Sequence, residues 1–210
     1  NQVWMAENLK YLPNVVGPIT ESFSEPYYYV YGYESTDVNA AKATSNYAIY
    51  GVLYNWSAAM NGGVSSSTNP SGVQGACPEG WHLPSDSEWT AMMDFLISNG
   101  YNYDETILGN KLAKAMAATI NWDKFSNDPG VPGNTDYPSF RNKSGFTALP
   151  GGERFINGVF SGIGNGGYWW NTTEEDSELA TVYFISTSYS KVFRDYSYKE
   201  QGYSVRCVKD

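Results

Sequence analysis

The chain has 210 residues, enough to bury a substantial core in one large domain or two small ones. Aromatic residues make up 16 % and charged residues only 17 %, the reverse of the balance in a disordered chain. The net charge of −9 argues against nucleic acid or an anionic membrane surface as partner, and no run approaches the roughly 20 apolar residues that span a bilayer.

The opening Asn1–Asn8 lacks the basic start and apolar run of a signal peptide, so the chain is expected to be a mature or trimmed fragment with any export signal or lipid anchor upstream. Val3–Leu9 reads as a short strand or its end, and Tyr27–Tyr33 as a tyrosine-rich strand. Ala40–Asn46 is small and polar, a loop or short helix. Tyr54–Met60 has helical composition and stops at Asn61-Gly62-Gly63, and Gly62–Gly75 is an exposed loop. The clearest helix runs from about Ser85 to Asn99. Ser85 and Glu88 make a capping-box pair, and Trp89, Met92, Met93, Leu96 and Ile97 follow as one apolar stripe. A second helix is predicted over Glu105–Ala118, with Leu108, Leu112, Ala115 and Met116 on one side. Asn121–Lys143 is a polar loop broken by three prolines.

From Gly145 short apolar runs alternate with Gly-rich turns: Gly145–Leu149, Arg154–Phe160, Tyr168–Asn171, Thr181–Ser186, Lys191–Asp195 and Gly202–Val208. They predict a mostly antiparallel sheet. Two helices early and a sheet late make an α+β protein, and with no internal repeat or linker a single domain over 1–210 is expected. Cys77 and Cys207 are the only cysteines. Counting leaves two readings open, a disulfide closing a long loop or two buried free thiols. Neither has a neighbouring Cys or His at metal-ligand spacing.

Several long segments carry a resemblance. They are Gln2–Leu9 (QVWMAENL), Tyr50–Met60 (YGVLYNWSAAM), Cys77–Trp89 (CPEGWHLPSDSEW), Gly145–Gly152 (GFTALPGG), Gly167–Trp170 (GYWW) and Gly202–Val208 (GYSVRCV). In this order and spacing they resemble the Fibrobacter succinogenes major paralogous domain, abundant in gut Bacteroidetes, and the match covers nearly the whole chain. That family is similar to the formylglycine-generating-enzyme type of C-type-lectin-like fold. The resemblance implies two main helices on a twisted sheet with long irregular loops. It also implies a Cys77–Cys207 disulfide and hence an oxidising compartment at the bacterial exterior, with an outer-membrane lipoprotein as one form that location takes.

Catalysis is not expected. The formylglycine-generating enzymes use a late pair of copper-binding cysteines, which this chain lacks. The single His82, between Trp81 and Leu83, reads as structural, and no nucleophile elbow accompanies it. No cofactor is expected. Calcium is the one open case, through Glu174-Glu175-Asp176 and through Asp123 with Asn127-Asp128. The sugar-binding lectins hold calcium with Trp-Asn-Asp, however, and here Thr172 follows Trp170-Asn171, so a solvated acidic turn is the preferred reading.

The segment Tyr168–Ser204 interleaves Tyr and Trp with Ser, Thr, Asn and Asp, the chemistry of a paratope. Trp169, Phe184 and Phe193 are assigned to the core. Tyr168, Trp170, Asn171, Tyr189, Arg194, Tyr196 and Tyr198 are the predicted ligand-binding residues. A glycan stacked on aromatic faces and a protein ligand are both open. The lectin-like display proteins of diversity-generating retroelements, rich in Tyr, Asn, Ser and Asp, make the second concrete; a purely structural surface module is the third reading.

Overall fold

A computed structural model describes residues 2–210. In chain order the elements are β1 (Tyr28–Tyr29), α1 (Val38–Lys42), α2 (Ser45–Tyr50), β2 (Leu53–Tyr54), α3 (Trp56–Met60), β3 (Trp81–His82), α4 (Asp86–Ser98), α5 (Ala113–Met116), β4 (Gly151–Arg154), β5 (Phe160–Ile163), β6 (Gly166–Glu174), β7 (Leu179–Ser186), β8 (Phe193–Tyr198) and β9 (Val208–Lys209). β4 to β8 form one sheet in the order β5-β4-β6-β7-β8, antiparallel except where β4 meets β6. Two small antiparallel ribbons, β1 with β2 and β3 with β9, complete the mixed α/β fold. No helix among the described residues is long and apolar enough to cross a membrane.

The inner strands are covered on both faces. One face packs Trp170, Ala180 and Val182 against α3, Tyr54 and Tyr203. The other packs Trp169, Tyr183 and Ile185 against α4 through Trp89, Met92 and Leu96. Trp89 is the centre of that second core. Its ring stacks on Tyr183 at 4.6 Å and meets Trp4 at 5.0 Å and Phe146 at 5.5 Å. Each such aromatic pair adds about 0.5–1.5 kcal/mol beyond the area it buries.

The helix predicted over Ser85–Asn99 is present as α4 with its capping box complete. The helix predicted over Glu105–Ala118 is not: only Ala113–Met116 is helical. Glu105 takes a left-handed φ of 62°, and the buried Asn102 side chain binds the carbonyls of Thr106 and Gly109 and the N–H of Lys111, holding the segment as a loop. Leu108, counted in the apolar stripe, is 78 % exposed.

Several predicted strands also change. Val3–Leu9 makes one bridge, Trp4 to Val208, and runs beside the last segment through Met5 and Leu9 N–H groups. Tyr27–Tyr33 shrinks to β1, and Ala40–Asn46 is the end of α1 and the start of α2. Gly145–Leu149 contributes only the Ala148–Ala117 bridge. Arg154–Phe160 is the turn between β4 and β5, because Asn157-Gly158 reverses the chain with Gly158 at φ 80°. Gly202–Ser204 makes isolated bridges to Arg154, Tyr54 and Trp169 ahead of the short β9.

Two clamps close the end of the chain onto its middle. The first is the Cys77–Cys207 disulfide, spanning 130 residues with Cα atoms 6.0 Å apart. The second is His82, whose Nε2 lies 2.7 Å from Glu88 Oε1 and whose Nδ1 lies 2.7 Å from Asp210 Oδ1. The other Glu88 oxygen accepts the N–H groups of Ser85 and Ser71, both at 3.0 Å. Burial by itself lowers the His82 pKa, but the hydrogen bonds to Glu88 and Asp210 outweigh it and the net shift is upward. With a carboxylate on each ring nitrogen, the doubly protonated imidazolium is the form that fits both partners.

Two outcomes are expected. Replacing both cysteines by alanine should cost about 5 kcal/mol of unfolding free energy in denaturant titration, from loop-closure entropy alone; an unchanged midpoint would show that the bridge constrains little. The His82 clamp should be fully effective below the unfolded pKa of about 6.5 and lost as pH rises through the higher folded value. The groups facing His82 are Glu88 and Asp210, with Glu79 and Lys209 nearby. The melting-temperature advantage of wild type over His82→Gln should therefore shrink as pH rises above about 6.5, and a pH-independent difference would refute the clamp.

Candidate ligand-binding surface

β8 is the outermost strand of the sheet, and its register on β7 divides the predicted site residues between two faces. Cross-strand rows join Trp169, Tyr183 and Arg194 on the α4 side, and Tyr168, Phe184 and Phe193 on the other. Strand alternation puts Tyr196, opposite Thr181, and Tyr198, opposite Leu179, on the same side as Arg194. Arg194, Tyr196 and Tyr198 thus come together. Tyr189, in the turn before β8, belongs to the opposite side, where its ring meets Phe193 at 5.0 Å.

The Arg194 group is exposed yet fixed. Tyr196 and Tyr198 are 41 % and 45 % exposed. Arg194 Nε donates to Asp86 Oδ1 at 2.7 Å, and Nη1 donates to the Tyr196 hydroxyl at 3.1 Å. The guanidinium also lies 4.9 Å from the centre of the Tyr196 ring. The buried Tyr183 hydroxyl donates to the same Asp86 oxygen at 2.8 Å. Asp86 sits in the first turn of α4, where the helix dipole favours a carboxylate. The salt bridge to Asp86 therefore ties the outer strand to the rigid helix, and Arg194 and Tyr196 share one orientation. Nothing in the sequence marked Asp86 as the anchor, because the partners are 108 residues apart.

Trp170 and Asn171 do not belong to any surface. Both are fully buried in β6, which lies between β4 and β7 and is covered on both faces. Trp170 Nε1 donates to Tyr54 O at 2.8 Å, and the Asn171 carbonyl accepts from Trp56 Nε1 at 2.9 Å. Their assignment to the binding site is corrected to the core.

Tyr168 is half-buried and belongs to a stack. Its ring lies 5.3 Å from Tyr203 and 5.4 Å from Phe184, and Phe184 lies 4.6 Å from Phe193, all near-parallel. The rings cover one another's faces, so a sugar ring finds no open aromatic face along this row. Tyr189 is the most exposed of the predicted residues at 55 %, and Lys191 Nζ lies 4.3 Å from the Phe193 ring centre beside it. Beneath the row lies the buried Glu153. Burial pushes its carboxyl pKa up, against the hydrogen bonds from the Tyr168 and Tyr203 hydroxyls.

The acidic loops are occupied by protein groups. Glu174 accepts from Lys199 Nζ at 2.7 Å, and Asp176 Oδ1 accepts the N–H groups of Glu178 and Leu179, both at 2.8 Å. In the 121–143 loop an internal cation does the organising. The buried Lys114 ammonium donates to the carbonyls of Asn134 and Asp136, both at 2.8 Å, and to the Asp136 carboxylate. Burial lowers the Lys114 pKa against the pull of Asp136. Among the described residues no three His, Cys, Asp or Glu side chains gather in an arrangement that could hold a metal ion.

No curated protein and no solved structure matches the chain significantly. The pattern of one family does, that of the Fibrobacter succinogenes major domain, and it matches residues 1–209. With the match running through both cores, the disulfide and the outer strand, the chain belongs to the Fibrobacter succinogenes major domain family.

Proposed function

We propose that the chain is a non-catalytic binding domain of lectin-like architecture that works at the bacterial cell exterior and grips a protein ligand through the α4-side face of β8. The observation that carries the reading is the exposed Arg194–Tyr196 pair held in one orientation by Asp86, with Tyr198 exposed beside it on the same face. Tyr and Arg are the residues that most often dominate protein interfaces, and fixing them beforehand reduces the ordering cost of binding. The Arg194 guanidinium lies against the Tyr196 ring, which favours a protein surface over a stacked sugar at this place.

The disulfide supports an oxidising compartment and so an exterior location. The pairing of the two ends of the chain, Trp4 against Val208, supports the lectin-like reading. The absence of catalysis is supported by the chemistry that is committed elsewhere. Both cysteines are bridged, and both nitrogens of the single histidine face carboxylates.

An array of purified extracellular proteins, with glycans printed beside them, tests this. A protein ligand found on it should lose at least about tenfold in affinity to Tyr196→Ala combined with Tyr198→Ala, each being of hot-spot type. The unfolding free energy should change by no more than about 0.5 kcal/mol per site, as expected of exposed positions. An array that yields only glycan ligands, only ligands indifferent to these changes, or no ligand at all, would sink the reading.

A further inference from the structure

A cleft of about 600 Å³ opens away from β8, between the loop around Asn69–Gln74, the turn leading into β3, and the chain end at Val208–Asp210. Its size lies in the range of small-ligand sites, and a second cleft of about 540 Å³ shares Gln2 and Asn69 with it and continues along α4 to Trp4 and Phe95. We infer that this cleft is a second binding site, and that its ligand is a neutral oligosaccharide.

The wall residues argue for that class. Trp81 is partly buried against the first core and lines the cleft, and among the described residues no aromatic side chain stacks on its ring, unlike the Tyr168 row. It provides the apolar surface on which the C–H face of a sugar ring can rest. Around it stand groups that suit hydroxyls, which both donate and accept. The exposed Asn69 amide makes no protein hydrogen bond among the described residues, so it offers a donor and an acceptor together. Gln74 Nε2 is spent on Cys77 O at 3.1 Å, which fixes the amide and turns its oxygen into an oriented acceptor.

Asp210 is the strongest acceptor and it is held in place beforehand. His82 Nδ1 fixes Oδ1 at 2.7 Å, which leaves the second oxygen of a side chain 60 % exposed for a ligand. A charge-assisted hydrogen bond from a sugar hydroxyl to a fixed carboxylate is among the stronger neutral-ligand contacts. Behind it, His82 is itself held by Glu88, so the floor needs no rearrangement on binding.

The charge at the cleft separates the alternatives. Among the described residues lining the cleft, Lys209 and the protonated His82 stand against Glu79, Glu88 and Asp210, so an anionic ligand such as a phosphate or sulfate ester meets a net negative wall. A simple cation finds Asp210 already paired with His82 and Glu88 saturated by His82 and two backbone N–H groups. A neutral, polyhydroxylated chain fits both the amides and the length of the adjoining clefts.

The test is isothermal titration of the full chain with neutral tetrasaccharides built on glucose, xylose, mannose and galactose, each beside its monosaccharide and a sulfated counterpart. At least one neutral tetrasaccharide should bind with a dissociation constant of about 1 mM or tighter, more tightly than its monosaccharide and than its sulfated form. Asn69→Ala and Asp210→Asn, both at exposed positions, should each weaken it about tenfold, with melting curves confirming the fold. Tyr196→Ala with Tyr198→Ala should leave it unchanged, which keeps this site distinct from the protein-binding face. The inference is overturned if none of the neutral saccharides titrates, if binding is indifferent to both cleft changes, or if a sulfated form binds best.

Discussion

Much of this structure rests on one buried guanidinium. Arg206 is fully inaccessible and has no carboxylate partner among the described residues. Its hydrogen bonds go to Asn8 Oδ1 at 2.7 Å and to the Phe146 and Thr147 carbonyls, and its plane lies 4.2 Å from the Phe146 ring centre. Burial pushes its pKa down to about 9, which still leaves it charged at neutral pH. A desolvated ion of this kind is costly unless every neighbour is in place. The neighbours come from the start of the chain, from the 146–147 loop and from the last segment. Asn8 extends the network, accepting from Trp169 Nε1 at 2.9 Å and donating to Tyr50 O and Ser204 Oγ. Few regular elements hold these distant segments together, so the network selects one arrangement of them.

The same shortage of regular structure explains the tyrosine content better than a paratope does. Irregular backbone leaves carbonyls that must find donors once buried. Tyrosine supplies an apolar ring and a hydroxyl that reaches them. Tyr54 donates to Tyr11 O at 2.8 Å, Tyr29 to Thr20 O at 2.7 Å and Tyr47 to Lys10 O at 3.0 Å. Arg154 works in the same way, fully buried, with Pro18, Thr20 and Glu200 carbonyls around its guanidinium and Tyr29 beneath it. Of the 18 tyrosines, those with exposed rings on β8 are left over from this structural use, and that gives them weight as binding residues.

What could be read from the sequence followed the range of the interactions involved. The capping box of Ser85 and Glu88 lies within one helical turn, and α4 was legible almost to the residue. The segment after it was not, because Asn102 outcompetes an apolar spacing that alone reads as helix. The Asn157-Gly158 turn was visible as a dipeptide but was absorbed into a run of apolar residues. On β8, Arg194, Tyr196 and Tyr198, all among the residues predicted to bind a ligand, are exposed. Trp170 and Asn171 have a similar composition, yet β6 is central and β8 is an edge. Strand order is a matter of long-range pairing, and no local pattern carries it.

The first turn of α4 joins the two proposed surfaces. Asp86 and Glu88 both lie there, where unpaired backbone N–H groups and the helix dipole stabilise negative charge. Asp86 turns toward the sheet and holds Arg194, while Glu88 turns toward the chain end and holds His82, which in turn positions Asp210. Two acids two residues apart on a helix point in different directions, so one rigid element orients both groups without making them compete. The packing of Trp89 between Tyr183, Trp4 and Phe146 fixes that turn from below. A surface that varies at β8 could therefore change its partner while the helix, the clamp at His82 and the cleft behind it stay as they are.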